Sequence, residues 1–211
     1  MTPEKIKPRW VFRGASSEEK VAVPDFFNLN NIPEGTARIM MRRGISTEEK
    51  LTHFLYDTLD NLSDPFLMKG MQQAVGRIIQ AIDLKEKIVI YGDYDVDGIT
   101  STSICVRCLR KLGADVNFYI PLREEEGYGL NRDAINKLSE EGVSLLITVD
   151  CGISSADLVV EAPQSLDIII TDHHQPPKVL PDCVAVLNPH QEDCPCLLYT
   201  SPSPRDYAAS R

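Results

Sequence analysis

The segment Gly92-Asp93-Tyr94-Asp95-Val96-Asp97-Gly98 places three carboxylates at alternate positions and brackets them with glycine. Further along, Asp150 precedes Cys151-Gly152, and another stretch ends in Thr171-Asp172-His173-His174. Carboxylates gathered in one place repel one another unless they are protonated or neutralised by cations. Oxygen donors with some imidazole suit Mn²⁺ or Mg²⁺, and a set poor in thiolate disfavours structural zinc. Two such ions about 3.5–4 Å apart clamp a phosphate ester for hydrolysis: one activates water and both stabilise charge on the phosphoryl oxygens. A bridging carboxylate is the usual way to hold that spacing, and Asp150 is placed to provide it.

Each cluster taken singly has a plainer explanation: a solvated acidic turn, a helix cap, a surface pair of histidines. Their recurrence at matching places argues against that. The first cluster also mimics the start of a Ca²⁺ loop, but Ser101 and Ser103 follow it, and Ile104 stands where the twelfth-position Glu belongs. No GxGxxG follows the first strand, so a dinucleotide site is excluded.

The elements that must position these groups are short apolar runs alternating with amphipathic stretches. Residues 88–91 read as a buried strand ending at Gly92, 99–112 as a helix stopped by Gly113, and 116–120 as a second strand. Asn131 caps a helix over 131–141 that Gly142 ends; 145–149 is a third strand, 155–162 a helix, 167–171 a fourth strand and 184–187 a fifth. This alternation predicts an α/β fold with a mostly parallel sheet flanked by helices. Ligands of such sheets bind beyond the carboxyl ends of the strands, where the acidic, histidine and glycine-rich segments all fall.

The first third reads differently. Residues 1–32 are irregular, 33–43 and 47–55 are two short helices separated by Gly44, and Ser46 with Glu49 forms a capping box for the second. Asp64-Pro65 opens a longer helix whose Leu67, Met71, Ala74, Val75, Ile78 and Ile82 share a face. We therefore expect a helical cap over residues 1–84 and the α/β domain over 85–195.

The 211 residues carry 22 basic and 31 acidic side chains, a net charge of −9, with 43% hydrophobic and 25% charged residues. Those proportions are ordinary for a globular protein. The acidity argues against coating nucleic acid through a basic surface, although part of it is the carboxylate cluster itself. The six cysteines include a CxxC pair, Cys105 and Cys108, set within a helical apolar pattern; reduced, buried cysteines are expected instead of a zinc site. No secretory signal and no apolar run long enough for a bilayer are present, so a cytoplasmic location is expected.

Together, Gly92–Gly98, Arg123 with Glu126-Gly127-Tyr128-Gly129, Val149–Gly152 and Thr171–His174 resemble the motifs of the DHH phosphoesterase superfamily. Within it, the resemblance is to the RecJ family of single-strand-DNA-specific 5′→3′ exonucleases, over roughly residues 35–195, with Arg43-Gly44-Ile45, Asp64-Pro65 and Asn188-Pro189 also in place. The resemblance implies two Mn²⁺ or Mg²⁺ ions held by Asp95, Asp97, Asp150 and His173, with Asp150 as the bridge and Asp93 as a ligand or a supporting group. It gives catalytic roles to Asp150, His173 and His174, and has Asp172 orient the histidine pair. Arg123, Gly127, Tyr128, Gly129 and His174 would contact the substrate phosphate.

The implied reaction is attack by a metal-activated water on single-stranded DNA from its 5′ end, in repair and recombination. A helicase or single-strand-binding protein is an implied partner, and a membrane is not. Other members of the superfamily hydrolyse short oligonucleotides, cyclic dinucleotides or pyrophosphate, and some are non-catalytic binding modules. Retention of Asp95, Asp97, Asp150 and His173 weighs against the last.

Residues 196–211 depart from the family pattern. Cys196-Leu-Leu-Tyr-Thr-Ser-Pro-Ser-Pro-Arg-Asp206 resembles the translation of a transposase adapter used in sequencing libraries. The expectation is a non-native tail on a truncated chain that lacks a further metal-binding aspartate, a second domain and an OB-fold, and is itself inactive.

Overall fold

The runs Ile88-Val89-Ile90-Tyr91, Leu145-Leu146-Ile147 and Ile168-Ile169-Ile170 are apolar on both faces, which only a sheet covered on both sides can accommodate. Five strands form that sheet: β1 (Lys87–Gly92), β2 (Asp115–Tyr119), β3 (Val143–Val149), β4 (Asp167–Thr171) and β5 (Ala185–Leu187). All pairings are parallel and the order is β2-β1-β3-β4-β5. The computed structural model describes residues 22–58, 63–122, 127 and 129–195.

These residues fall into two compact units that divide between residues 62 and 63. The first holds α1 (Asp25–Leu29), α2 (Glu34–Arg42) and α3 (Glu48–Tyr56) around Phe27, Ala37, Met40 and Leu51. Thr47 caps α3 by accepting from the Lys50 amide, one position later than the box read from Ser46. In the second unit Asp64 caps a 3₁₀ turn, Pro65–Leu67, and only then does α4 (Met71–Asp83) begin.

Helices α4 and α5 (Val96–Lys111) cover one face of the sheet, where Ala74, Ala81, Val106 and Leu109 meet Ile88, Ile90, Leu145, Ile147 and Ile169. Helices α6 (Arg132–Glu140) and α7 (Ala156–Val160) cover the other, where Ile135, Leu138 and Val159 meet Val89, Tyr91, Leu146, Ile168 and Ile170. Alternate residues of each strand thus serve opposite cores. Helix α4, assigned above to the cap, belongs with the sheet. Its apolar stripe packs on strands that lie after residue 85, so the compact unit starts some twenty residues earlier than 85.

The strand order contains one reversal. The chain goes from β1 outward to β2, then returns past β1 to β3. The crossover helices on the two sides of that step lie on opposite faces. A crevice therefore opens between the carboxyl ends of β1 and β3, the usual ligand position in a doubly wound sheet.

Candidate metal centre

Both walls of the crevice are acidic. After β1 the chain places Asp93, which is 3% exposed, and then Asp95 as the N-cap of α5. The Asp95 Oδ1 accepts from the amides of Asp97 at 2.9 Å and Gly98 at 3.0 Å. Such a cap contributes about 0.5–2 kcal/mol and also fixes one carboxylate oxygen. Helix α5 can start there because residue 98 is glycine. A Cβ at that position would stand 2.4 Å from the Asp93 carbonyl oxygen.

From β3 comes Asp150, whose side chain is 7% exposed. Its backbone is left-handed, with φ 62°, which costs a non-glycine residue about 1–3 kcal/mol unless its surroundings enforce it. The Asp150 amide donates to the Thr171 carbonyl at 3.0 Å, carrying the β3–β4 ladder into the turn.

Beyond β4, Asp172 is buried and its carboxylate is saturated with donors. Oδ1 accepts from the His173 amide at 2.7 Å, the His174 amide at 3.0 Å and His174 Nδ1 at 2.7 Å. Oδ2 accepts from the Ile153 amide at 2.9 Å. Burial alone would raise this carboxyl, but the bonds from His174 and Ile153 outweigh it and hold it below the ordinary range. The same Asp172 bond raises the His174 imidazole against the effect of its burial. An ionised acceptor on Nδ1 puts the hydrogen there and leaves Nε2 as the outward group.

His173 reaches the other way, its Nε2 3.0 Å from Asp150 Oδ1. Its ring lies 4.7 Å from that of His174.

Donor atoms thus collect in two overlapping groups. One is Asp93, Asp95 and Asp150; the other is Asp150, His173 and His174; within each, one atom per residue lies within 4.8 Å of the others. Asp150 belongs to both. Burial, then the Asp95 carboxylate that shares a hydrogen bond with it, push the Asp150 carboxyl up to about 6 against the opposing pull of the two imidazoles. Two carboxyls sharing a proton is how such a cluster relieves its repulsion without cations. An oxygen-rich set with imidazole fits Mn²⁺ or Mg²⁺.

The positions expected from sequence are distributed as follows. Asp93, Asp95, Asp150, His173 and His174 meet in the crevice, and Asp172 lies beneath the histidines. Asp97 is exposed in the first turn of α5 and belongs to neither donor group. Gly129 accepts from the Tyr91 hydroxyl through its carbonyl at 2.9 Å, and Gly127 is left-handed with φ 79°. Arg123, Tyr128 and residues 196–211 lie outside the described residues.

Two positions were not singled out as supporting groups. Asn188 is fully buried and its amide nitrogen donates to the His174 carbonyl at 2.8 Å, tying β5 to the histidine pair. Thr148 is fully buried and bonds both sides of the Asp150 turn. A hydroxyl interrupting the apolar run Leu145-Leu146-Ile147-Thr148-Val149 was the available signal.

Fold and site define a doubly wound α/β domain with a carboxylate–imidazole centre at its switch point. The model of the DHH family, N-terminal domain, matches residues 87–201; the chain belongs to the DHH family. It is 43% identical over 189 residues to the single-stranded-DNA-specific exonuclease RecJ of Bacillus subtilis, covering 89% of this chain and 24% of that protein. It is 42% identical over 139 residues to the Haemophilus influenzae RecJ, covering 65% and 24%.

Among solved structures, RecJ of Thermus thermophilus in complex with Mn²⁺ matches with a TM-score of 0.60 at 29% identity, over 82% of this chain and 24% of that one. A manganese-bound exonuclease RecJ matches with a TM-score of 0.56 at 38% identity, over 62% and 33%. The chain spans about a quarter of the length of these curated relatives. Among the described residues no helix is long and apolar enough to cross a membrane.

Proposed function

We propose that this chain carries the catalytic centre of a single-strand-specific 5′→3′ DNA exonuclease that hydrolyses phosphodiester bonds with two divalent ions, Mn²⁺ or Mg²⁺. The observation that carries the reading is the pair of donor groups sharing Asp150 at the switch point. The identity to RecJ proteins supports the substrate, and the manganese-bound RecJ structures support the metal.

In this reading Asp93, Asp95, Asp150 and His173 would hold the ions, Asp150 being common to both donor groups. The resemblance adds Asp97, two residues from Asp95, as a further ligand, although it lies outside both donor groups. When bound, the ions supply Lewis acidity and a water of lowered pKa. The chain's own groups do the rest. Asp172 holds His174 by Nδ1 and favours its imidazolium, whose Nε2 hydrogen can be donated to a phosphoryl or leaving oxygen. Arg123 and the Gly127-Tyr128-Gly129 segment bind substrate phosphate. The helical unit that ends by residue 62 precedes the catalytic domain, which runs over residues 63–195. The protein acts in the cytoplasm in DNA repair and recombination, beside the helicase or single-strand-binding protein that handles the same strand.

A chimera tests this. The Bacillus subtilis RecJ carrying residues 63–195 of this chain in place of its matched segment is expected to degrade 5′-labelled single-stranded DNA with Mn²⁺ and to spare duplex. Asp150→Ala in that chimera is expected to lower the rate at least a thousandfold with unchanged circular dichroism. A folded chimera without activity, or one that keeps it after Asp150→Ala, contradicts the reading.

A further inference from the structure

Asp150 belongs to both donor groups and has a left-handed backbone, and the Thr148 side chain closes the turn around it. Thr148 sits two residues earlier on β3, on the same face as Leu146, and is fully buried. Its hydroxyl donates to the Cys151 carbonyl at 2.8 Å and accepts from the Thr171 amide at 3.3 Å. The Thr171 hydroxyl returns a bond to the Thr148 carbonyl at 2.6 Å. Gly152, at φ 105°, packs so closely that a Cβ there would stand 3.0 Å from the Thr148 hydroxyl oxygen. Cys151 itself is fully buried, so its carbonyl has no access to water as a replacement partner.

We propose that Thr148 is a positioning residue for the metal centre: its hydroxyl clips the Cys151 carbonyl down and locks Asp150 in the left-handed conformation that aims its carboxylate between the two donor groups. This rests on the metal reading above. Valine at 148 keeps the shape and loses both bonds. The carbonyl is then left unpaired in an apolar core, and the turn gains by relaxing to an ordinary backbone. Serine keeps the hydroxyl and its bonds.

The test is Mn²⁺ affinity of the 211-residue chain by isothermal titration calorimetry, with thermal unfolding measured alongside. Thr148→Val is expected to weaken Mn²⁺ binding at least tenfold, and Thr148→Ser to stay within about threefold of the original. Leu138→Ala, a truncation in the same core on α6, separates positioning from general loss of stability. It is expected to lower the unfolding temperature and leave Mn²⁺ affinity unchanged. Thr148→Ala replaces the valine variant if that one does not fold, with the same expectation.

Equal affinity in Thr148→Val and the original chain overturns the proposal. So does a loss in Leu138→Ala that matches the loss in the valine variant. Absence of Mn²⁺ binding by the original chain is a different failure: it overturns the metal reading, and the proposal falls with it.

Discussion

At the scale of single residues, the centre is a problem in charge. Asp150 carries a proton up to a pH of about 6 because it is buried beside Asp95, and a carboxylate must shed its proton to ligate a cation. Mn²⁺ affinity is therefore expected to rise as pH climbs through that value. The metal-free protein behaves oppositely. With a folded pKa above the ordinary 3.8, the Asp150 contribution is intact below about pH 4. It is lost as pH rises towards 6.

Asp150→Asn has no such titration, so in EDTA it should gain stability on the original chain between those values. Urea unfolding at pH 4.5 and 7 reads the difference, and a gap independent of pH would contradict the assignment. Sequence alone carried most of this centre. Aspartates at alternate positions, Asp150 and the histidine pair are residue types with few structural uses at strand ends. It carried less of the support, since the bonds by which Thr148 and Asn188 hold the turn and the histidine pair are seen only in the structure.

At the scale of elements, strands and helices were legible because apolar runs and glycine stops coincide. The β4 strand appears over the expected 167–171, and Asn131 caps α6 through the Ala134 amide at 2.7 Å. Two features were not legible. Helix α5 starts at Val96, three residues before the expected 99, because the Asp95 cap reaches back to the loop. Strand order is the other, since parallel strands joined by helices read the same in any arrangement; the switch point became visible only in the structure.

The junction of β1 and α5 makes a sharp prediction. Gly98→Ala puts a methyl 2.4 Å from the Asp93 carbonyl oxygen and 2.6 Å from its carbon and nitrogen. Backbone cannot swing aside as a side chain would. Overpacking costs typically about 1–3 kcal/mol, and the upper end is expected here. Gly35→Ala in α2 meets nothing within 4 Å and should be neutral or gain about 0.5–1 kcal/mol. Chemical denaturation compares the two, and a Gly98→Ala variant as stable as the original would show that α5 does not need this approach.

At the scale of the whole molecule, the net charge of −9 and the nucleic-acid substrate proposed above are reconciled by where the acid lies. In the proposed function, cations held by the switch-point carboxylates would neutralise them, so that a phosphate backbone would meet metal charge instead of bare carboxylate. The two-layer covering of the sheet gives the crevice rigid walls. Its position follows from topology: β1 and β3 are neighbours in the sheet, although β2 and two helices separate them in the chain.

In the proposed function Asp150 joins two cation sites. Crystals of the chain soaked in Mn²⁺ and measured at the manganese absorption edge test it directly. Two anomalous peaks are expected flanking the Asp150 carboxylate, one on the side of Asp93 and Asp95 and the other beside His173. Manganese bound in the crystal with no peak within coordination distance of Asp150 would contradict it.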